Sequence, residues 1–339
     1  MYRATTYHLI WLFLPILIVA GCERQQHLVE QQLLEFGTII EITMITDDLT
    51  HAERLLTEVE QRLRIQRHQW HAWEDSDLTR FNRVLHQGAR VEVPASLAHV
   101  IRLSRHYHDA TGGLFNPALG KLVAAHGFHG SEPDMNTIAE IKRDIPGMQD
   151  LRVETNFAVS GNPHLQIDLG GIAKGYAVGL LGDYLDKNGI DHYIINAGGD
   201  MVTAGNRFGR PWRIGIQNPF APGVVASLAI EGKHSLFTSG NYHRKYWRGE
   251  DLAHHIIDPR SGEASSGQSS ATVLTTDPVL ADVAATALMI DGLQGHHDLA
   301  LSLQIQDYLV ISEQREIIVS RSLAEKIEIA VPWPTTIVD

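Results

Sequence analysis

The stretch Asp168-Leu-Gly-Gly-Ile-Ala-Lys-Gly-Tyr176 puts a carboxylate, two adjacent glycines and a lysine within seven residues. Glycine lets backbone come close to a ligand, and a lysine ammonium is a point charge suited to phosphate. Lys174 falls at the start of a helical pattern, where unpaired N–H groups and the helix dipole also favour anions. The segment reads as a nucleotide-diphosphate site, with Asp168 available to orient a ligand hydroxyl or amine. A buried strand-to-helix turn with a surface lysine accounts for the same residues. Neither G-x-G-x-x-G nor G-x-x-x-x-G-K-[ST] occurs in the chain.

Asp282 and Thr286, in Ala281-Asp-Val-Ala-Ala-Thr-Ala287, share a helix face by their spacing. Both offer oxygen, the donor that magnesium or calcium prefers. Their neighbours are apolar, so an unpartnered aspartate there is costly. The alternative is a carboxylate near the helix start satisfied by backbone, with Thr286 bonded to a preceding carbonyl. His254-His255-Ile-Ile-Asp-Pro259 suggests a strand entering a turn, with His254 and His255 on opposite faces. No H-E-x-x-H spacing exists, and His68, His71, His126 and His129 suit surface or core roles better than ligation.

The elements that must position these groups are legible. Alternation at Ile40, Ile42 and Met44 marks a half-buried strand over 36–44. Thr50-x-x-Glu53 has the form of a capping box opening a helix with Leu55, Leu56, Val59 and Leu63 on one face. A second helix carries Leu97, Val100, Ile101 and Tyr107 and stops at Gly112-Gly113. A helical stripe from Ile172 to Leu185 ends at Gly189, and His192–Asn196 follows as a strand. Short strands are expected at 212–216, 235–238 and 270–274, and a hairpin at 308–319. Asp277-Pro278 is an N-cap followed by proline at the first helical position, opening an apolar helix to Ile290. No repeat or linker divides residues 33–335, so one α+β domain with mixed sheets and flanking helices is expected.

The chain has 339 residues, 44% of them hydrophobic and 20% charged, ordinary values for a globular protein. A net charge of −12 argues against a nucleic-acid surface. An anionic ligand would need local help from a cation, a metal or backbone N–H groups. At the N-terminus, Arg3 precedes an apolar run that ends in Val19-Ala-Gly-Cys22. This reads as a secretory signal over 1–21. Its end resembles a bacterial lipobox, with Cys22 as the lipidated first residue. Residues 22–32 are then expected as a polar tether. Cys22 is the only cysteine, so none remains for a nucleophile or a metal site.

Taken in order, the segments resemble the ApbE family, the FAD:protein FMN transferases. The resemblance rests on Phe36-Gly-Thr38, Ser76–Asn82, Gly112-Gly-Leu-Phe-Asn-Pro117, Asp168–Tyr176, Asn196-Ala-Gly-Gly-Asp200, Thr238-Ser-Gly240, His255–Pro259 and Ala281–Leu288. It implies an enzyme that splits the diphosphate of FAD and transfers FMN to a threonine or serine of a partner protein, releasing AMP. It implies Mg2+ held by Asp282, Thr286 and the carbonyl of Gly171, and His255 as catalytic base. It implies FAD contacts at Phe36, Trp73, Leu114, Phe115, Asn116, Asp168, Lys174 and Ile256. The partners implied are FMN-binding subunits of redox-driven ion pumps, met on the periplasmic side by a lipid-anchored enzyme. The family usually has Met where Phe36 stands, Tyr near Trp73 and Asp where Asn116 stands. Two other outcomes fit the same residues: a magnesium-dependent FAD pyrophosphatase and a non-catalytic FAD-binding lipoprotein.

Overall fold

The computed structural model describes residues 25–128, 132–154, 156–242, 245–248 and 251–339. The signal-like segment, Cys22 and His129 lie outside the described residues.

The fold is α+β, built on a nine-stranded sheet. Its strands are β1 (His27–Glu35), β2 (Thr38–Thr46), β3 (His192–Ala197), β4 (Asp200–Ala204), β5 (His234–Gly240), β6 (Gln268–Thr275), β7 (Asp307–Ser312), β8 (Ile317–Ser320) and β9 (Thr335–Val338). They lie side by side in chain order, antiparallel throughout except for the parallel pair β8 and β9. Two expected boundaries are corrected. Residues 27–32 are not tether but most of β1, paired in register with β2. The domain also runs past 335, because Thr335–Val338 completes the sheet.

Period-two alternation gives the sheet two apolar faces. Ile40, Ile42 and Met44 enter a large core beneath the helices α1 (Leu49–Trp70), α2 (Ala95–Ala110), α3 (Ala173–Lys187) and α4 (Pro278–Ser302). Ile45 belongs to a second core on the other face. That core is covered by a three-stranded sheet of Trp212–Gln217, Val224–Ile230 and Ile327–Ile329. A third, small core joins the helices Gly120–Ala125 and Met135–Ile141 to Ile257.

Helix ends follow local chemistry. The cap of α1 is Asp48, whose side chain accepts from His51 N–H at 2.9 Å, so the chain turns helical before the expected Thr50 box. Asp277 caps α4 as expected, accepting from Val279 N–H at 2.8 Å and Leu280 N–H at 3.1 Å. That helix continues beyond Ile290 to Ser302, broken by a kink at Gly292 (φ 91°, ψ 174°). In the amide orientation that satisfies both of its ends, Gln268 accepts from Leu293 N–H at 2.6 Å and Gly292 N–H at 3.3 Å. The side chain thereby replaces carbonyl partners lost at the break.

Candidate active site

Several turns converge at one end of the large sheet. The β1–β2 turn carries Phe36, held in the left-handed region at φ 53°. Beside it runs the β3–β4 turn, where a Cβ on Gly198 would stand 2.2 Å from Thr38 Oγ1. Only glycine permits that approach, at φ 68°. The next residue inward is Asp200, 2% exposed. Its carboxylate accepts from Thr238 N–H at 2.9 Å and forms an ion pair with Lys174. Lys174 is therefore aimed by a buried carboxylate rather than carried loosely on the surface.

Helices α3 and α4 meet at the same place. A Cβ on Gly175 would lie 2.3 Å from the Pro278 carbonyl oxygen and 2.8 Å from Asp282 Cβ. With no side chain there, Gly175 N–H donates to the Asp282 carboxylate at 2.8 Å. Burial pushes the Asp282 carboxyl up, to about 7, against the opposing pull of Lys174. One turn on, Thr286 Oγ1 lies 2.9 Å from Ser239 Oγ and donates to the Asp282 carbonyl at 3.2 Å. Gly171 adjoins Thr286 and Phe115: a Cβ there would sit 3.5 Å from Thr286 Oγ1 and 3.2 Å from Phe115 Cε2. A buried carboxylate that resists ionisation, a hydroxyl and a neighbouring backbone form an all-oxygen set. They fit a hard divalent cation, whose charge would hold Asp282 ionised.

The Leu114-Phe115-Asn116 loop and the turn after His255 close a further wall. Leu114, Asn116, Pro259 and Arg260 line a cavity of about 310 Å³. Backbone bonds from Asp168 N–H to Pro117 O (2.8 Å) and Gln166 N–H to Ala118 O (3.2 Å) tie this loop to the segment that opens at Asp168. Asn116 donates to Pro146 O at 2.8 Å and accepts from Ala118 N–H at 3.1 Å. An aspartate could not make the first bond, which gives the asparagine here a structural reason. His255 is half-buried, with the Phe128 ring edge-on at 6.5 Å. His254 points the other way, 1% exposed. Its Nε2–H donates to Ser265 O at 2.7 Å, and Nδ1 accepts from Ile256 N–H at 3.3 Å. Burial pushes its pKa down, keeping it neutral.

The turn is anchored from two further sides. His126 Nε2–H donates to Gly262 O at 2.9 Å. Arg260 pairs with Asp258 at 2.8 Å and donates to Ile290 O of α4 at 2.9 Å.

A profile described as the ApbE family matches residues 36–309. The chain is 32% identical over 314 residues to the FAD:protein FMN transferase of Vibrio cholerae, covering 87% of this chain and 91% of that protein. This chain belongs to the ApbE family. It is also 33% identical over 319 residues to the FAD:protein FMN transferase of Rhodobacter capsulatus. That match covers 92% of this chain but spans only 61% of the longer relative. Among solved structures, the ApbE protein of Thermotoga maritima superposes with a TM-score of 0.79 at 25% identity, covering 88% of this chain and 99% of that one. The flavin transferase ApbE of Vibrio cholerae superposes with a TM-score of 0.77 at 28% identity, covering 89% and 100%.

Seen as an ApbE chain, the expected residues divide into groups. Lys174, Gly171, Asp282 and Thr286 meet directly around the junction of α3 and α4. Asp168, half-buried, folds back on its own turn by accepting from Gly170 N–H at 2.9 Å. Phe115 and Ile256 are buried, at 4% and 6% exposure. Phe36 and Trp73 are half-buried. Two site residues carried no expected role: Asp200, which aims Lys174, and Ser239, which holds Thr286. Both stand within matched motifs, so the signal was present without a partner to interpret it.

Proposed function

We propose that this chain is an FAD:protein FMN transferase, moving FMN from FAD to a threonine or serine hydroxyl of an acceptor protein and releasing AMP. The observation that supports it most directly is the 2.8 Å bond from Gly175 to Asp282. It joins the diphosphate turn to the helix carrying the oxygen ligands.

In this reading Asp282, Thr286 and the Gly171 carbonyl hold Mg2+, which supplies positive charge to the diphosphate when bound. Lys174, aimed by Asp200, adds a second positive charge at the same group. Backbone N–H groups at the start of α3 face the same anion. Phe36 and Trp73 cover the flavin, and the Leu114–Asn116 loop lies against it. His255 accepts the proton of the acceptor hydroxyl. The hydroxyl oxygen bonds to the FMN phosphorus as the bond to the AMP phosphate oxygen breaks, and AMP departs with the electron pair.

The test is incubation with FAD and Mg2+, with and without a purified FMN-binding-domain acceptor. AMP with acid-stable covalent flavin on the acceptor is expected. AMP with free FMN would make the chain a pyrophosphatase, and no AMP would make it a binder.

The proposed location rests on Cys22 in its lipobox-like context. Lipidation there would place the domain on a membrane, facing periplasmic acceptors such as FMN-binding subunits of redox-driven ion pumps. Cys22→Ser should release the protein from membranes or stall its processing; unchanged fractionation and processing would remove the anchor from this reading.

A further inference from the structure

The outer face of the large sheet is covered along most of its length. Leu28, Ile45, Ile194 and Met201 pack toward the core beneath the three-stranded sheet. Toward the active-site end this cover stops. Glu41 marks the border, accepting from Gln32 at 2.8 Å and Asn196 at 3.0 Å. Beyond that polar band stand Leu34 and Ile39, 76% and 53% exposed. They are direct cross-strand partners, so they form one apolar patch rather than two isolated side chains. Phe36 lies in the turn between them.

The strand carrying Leu34 is an edge. Among the described residues, β1 pairs only with β2. It runs nine residues, His27–Glu35, with no proline or lysine in it; of its two carboxylates Glu35 is buried, which leaves Glu30 as the exposed charge. Long edges of this kind are normally blunted by such residues or covered, because their N–H and C=O groups template pairing with another chain. Here the edge ends at the β1–β2 turn, whose Thr38 lies against Gly198 of the turn that leads to Asp200 and Lys174, within the proposed site.

We propose that the acceptor protein docks here, adding an extended segment along β1 and seating an apolar side chain on Leu34 and Ile39. This rests on the transferase reading, because only a macromolecular substrate needs such a surface. Main-chain pairing would supply affinity and direction, and the apolar patch would supply register. The segment would be steered past Phe36 toward His255.

The test compares wild type with Leu34→Glu and Ile39→Glu, using a purified FMN-binding-domain protein as acceptor. KM for the acceptor should rise by roughly tenfold or more, as expected when an interface anchor is lost. The rate at saturating acceptor and the affinity for FAD should stay at wild-type values, and Leu34→Met should restore KM. Amide exchange along β1 should slow when acceptor is added. An unchanged KM in both Glu variants would overturn the surface, whether or not they release the protein from phospholipid vesicles; release would assign the patch to the bilayer. A wild-type chain that forms no covalent flavin overturns the activity and the surface together. Wild-type transfer with unaltered variants overturns the surface alone.

Discussion

Gly175 and Asp282 are joined by a 2.8 Å hydrogen bond between a backbone N–H and a buried carboxylate. Two helices distant in sequence thereby share one polar contact at the point where diphosphate and cation would meet. The close crossing requires glycine, since any Cβ at 175 runs into the Pro278 carbonyl and Asp282.

Gly175→Ala should therefore displace Asp282 as well as strain the crossing. Overpacking of this kind costs about 1–3 kcal/mol. A lowered melting temperature is expected together with weakened Mg2+ dependence of AMP release. A variant with a wild-type magnesium titration would show that the contact is dispensable.

Asp282→Asn separates charge from shape. Burial already favours the neutral carboxyl, whose pKa is pushed up to about 7. The metal-free melting temperature should change little, while turnover falls by about 10²–10³-fold. Thr286→Val should be milder, because it removes a neutral ligand and the contact with Ser239. Full turnover of Asp282→Asn with magnesium present would refute the ligand role.

His255→Ala should retain FAD binding and lose about 10²–10⁴-fold in single-turnover transfer. Titration of flavin fluorescence measures the first quantity and gel-resolved covalent flavin the second. Equal loss of both would make His255 a binding residue instead.

His254 gives a pH prediction. Sequence alone expects a bystander facing away from the site; the structure instead shows a buried imidazole holding Ser265 and Ile256. Its pKa is depressed in the fold, chiefly by burial. The unfolded chain then takes up a proton near pH ~6.5 while the fold resists it. The contribution to stability is present above that pH and is lost as pH falls toward the depressed folded value. Melting temperatures measured from pH 7.5 downward should fall less steeply for His254→Gln than for wild type. His254→Ala should cost about 1–3 kcal/mol by leaving the Ser265 carbonyl unpaired. Parallel pH slopes would dismiss His254 as the titrating group.

The sequence revealed elements with strong local periodicity: the alternation in β2, the Asp277-Pro278 helix start and the glycine stop at Gly189 (φ 77°). The strand β1 escaped because its polar residues resemble a tether until Leu33 and Leu34 are set against Ile40 and Ile39 across the turn. Candidate ligands were legible as residue types at helix spacing. The ion pair of Lys174 with Asp200 was not, since it depends on a contact between residues 26 positions apart. The third core was equally hidden, though it seats the His255 turn through Ile257 and His126.

The break at Gly292 has a consequence for how the site is assembled. In an uninterrupted helix, the Ile290 carbonyl would be taken by an N–H four residues later. Because the rod is cut there, that oxygen accepts from Arg260 instead, and the spare N–H groups beyond the cut are taken by Gln268. One discontinuity thus becomes a splice, fastening the segment that holds His255, the proposed proton acceptor, to the helix that holds the proposed ligands Asp282 and Thr286. A side chain at 292 would be forced into a backbone region reserved for glycine. The two halves of the chemistry would lose their common reference point while each remained intact.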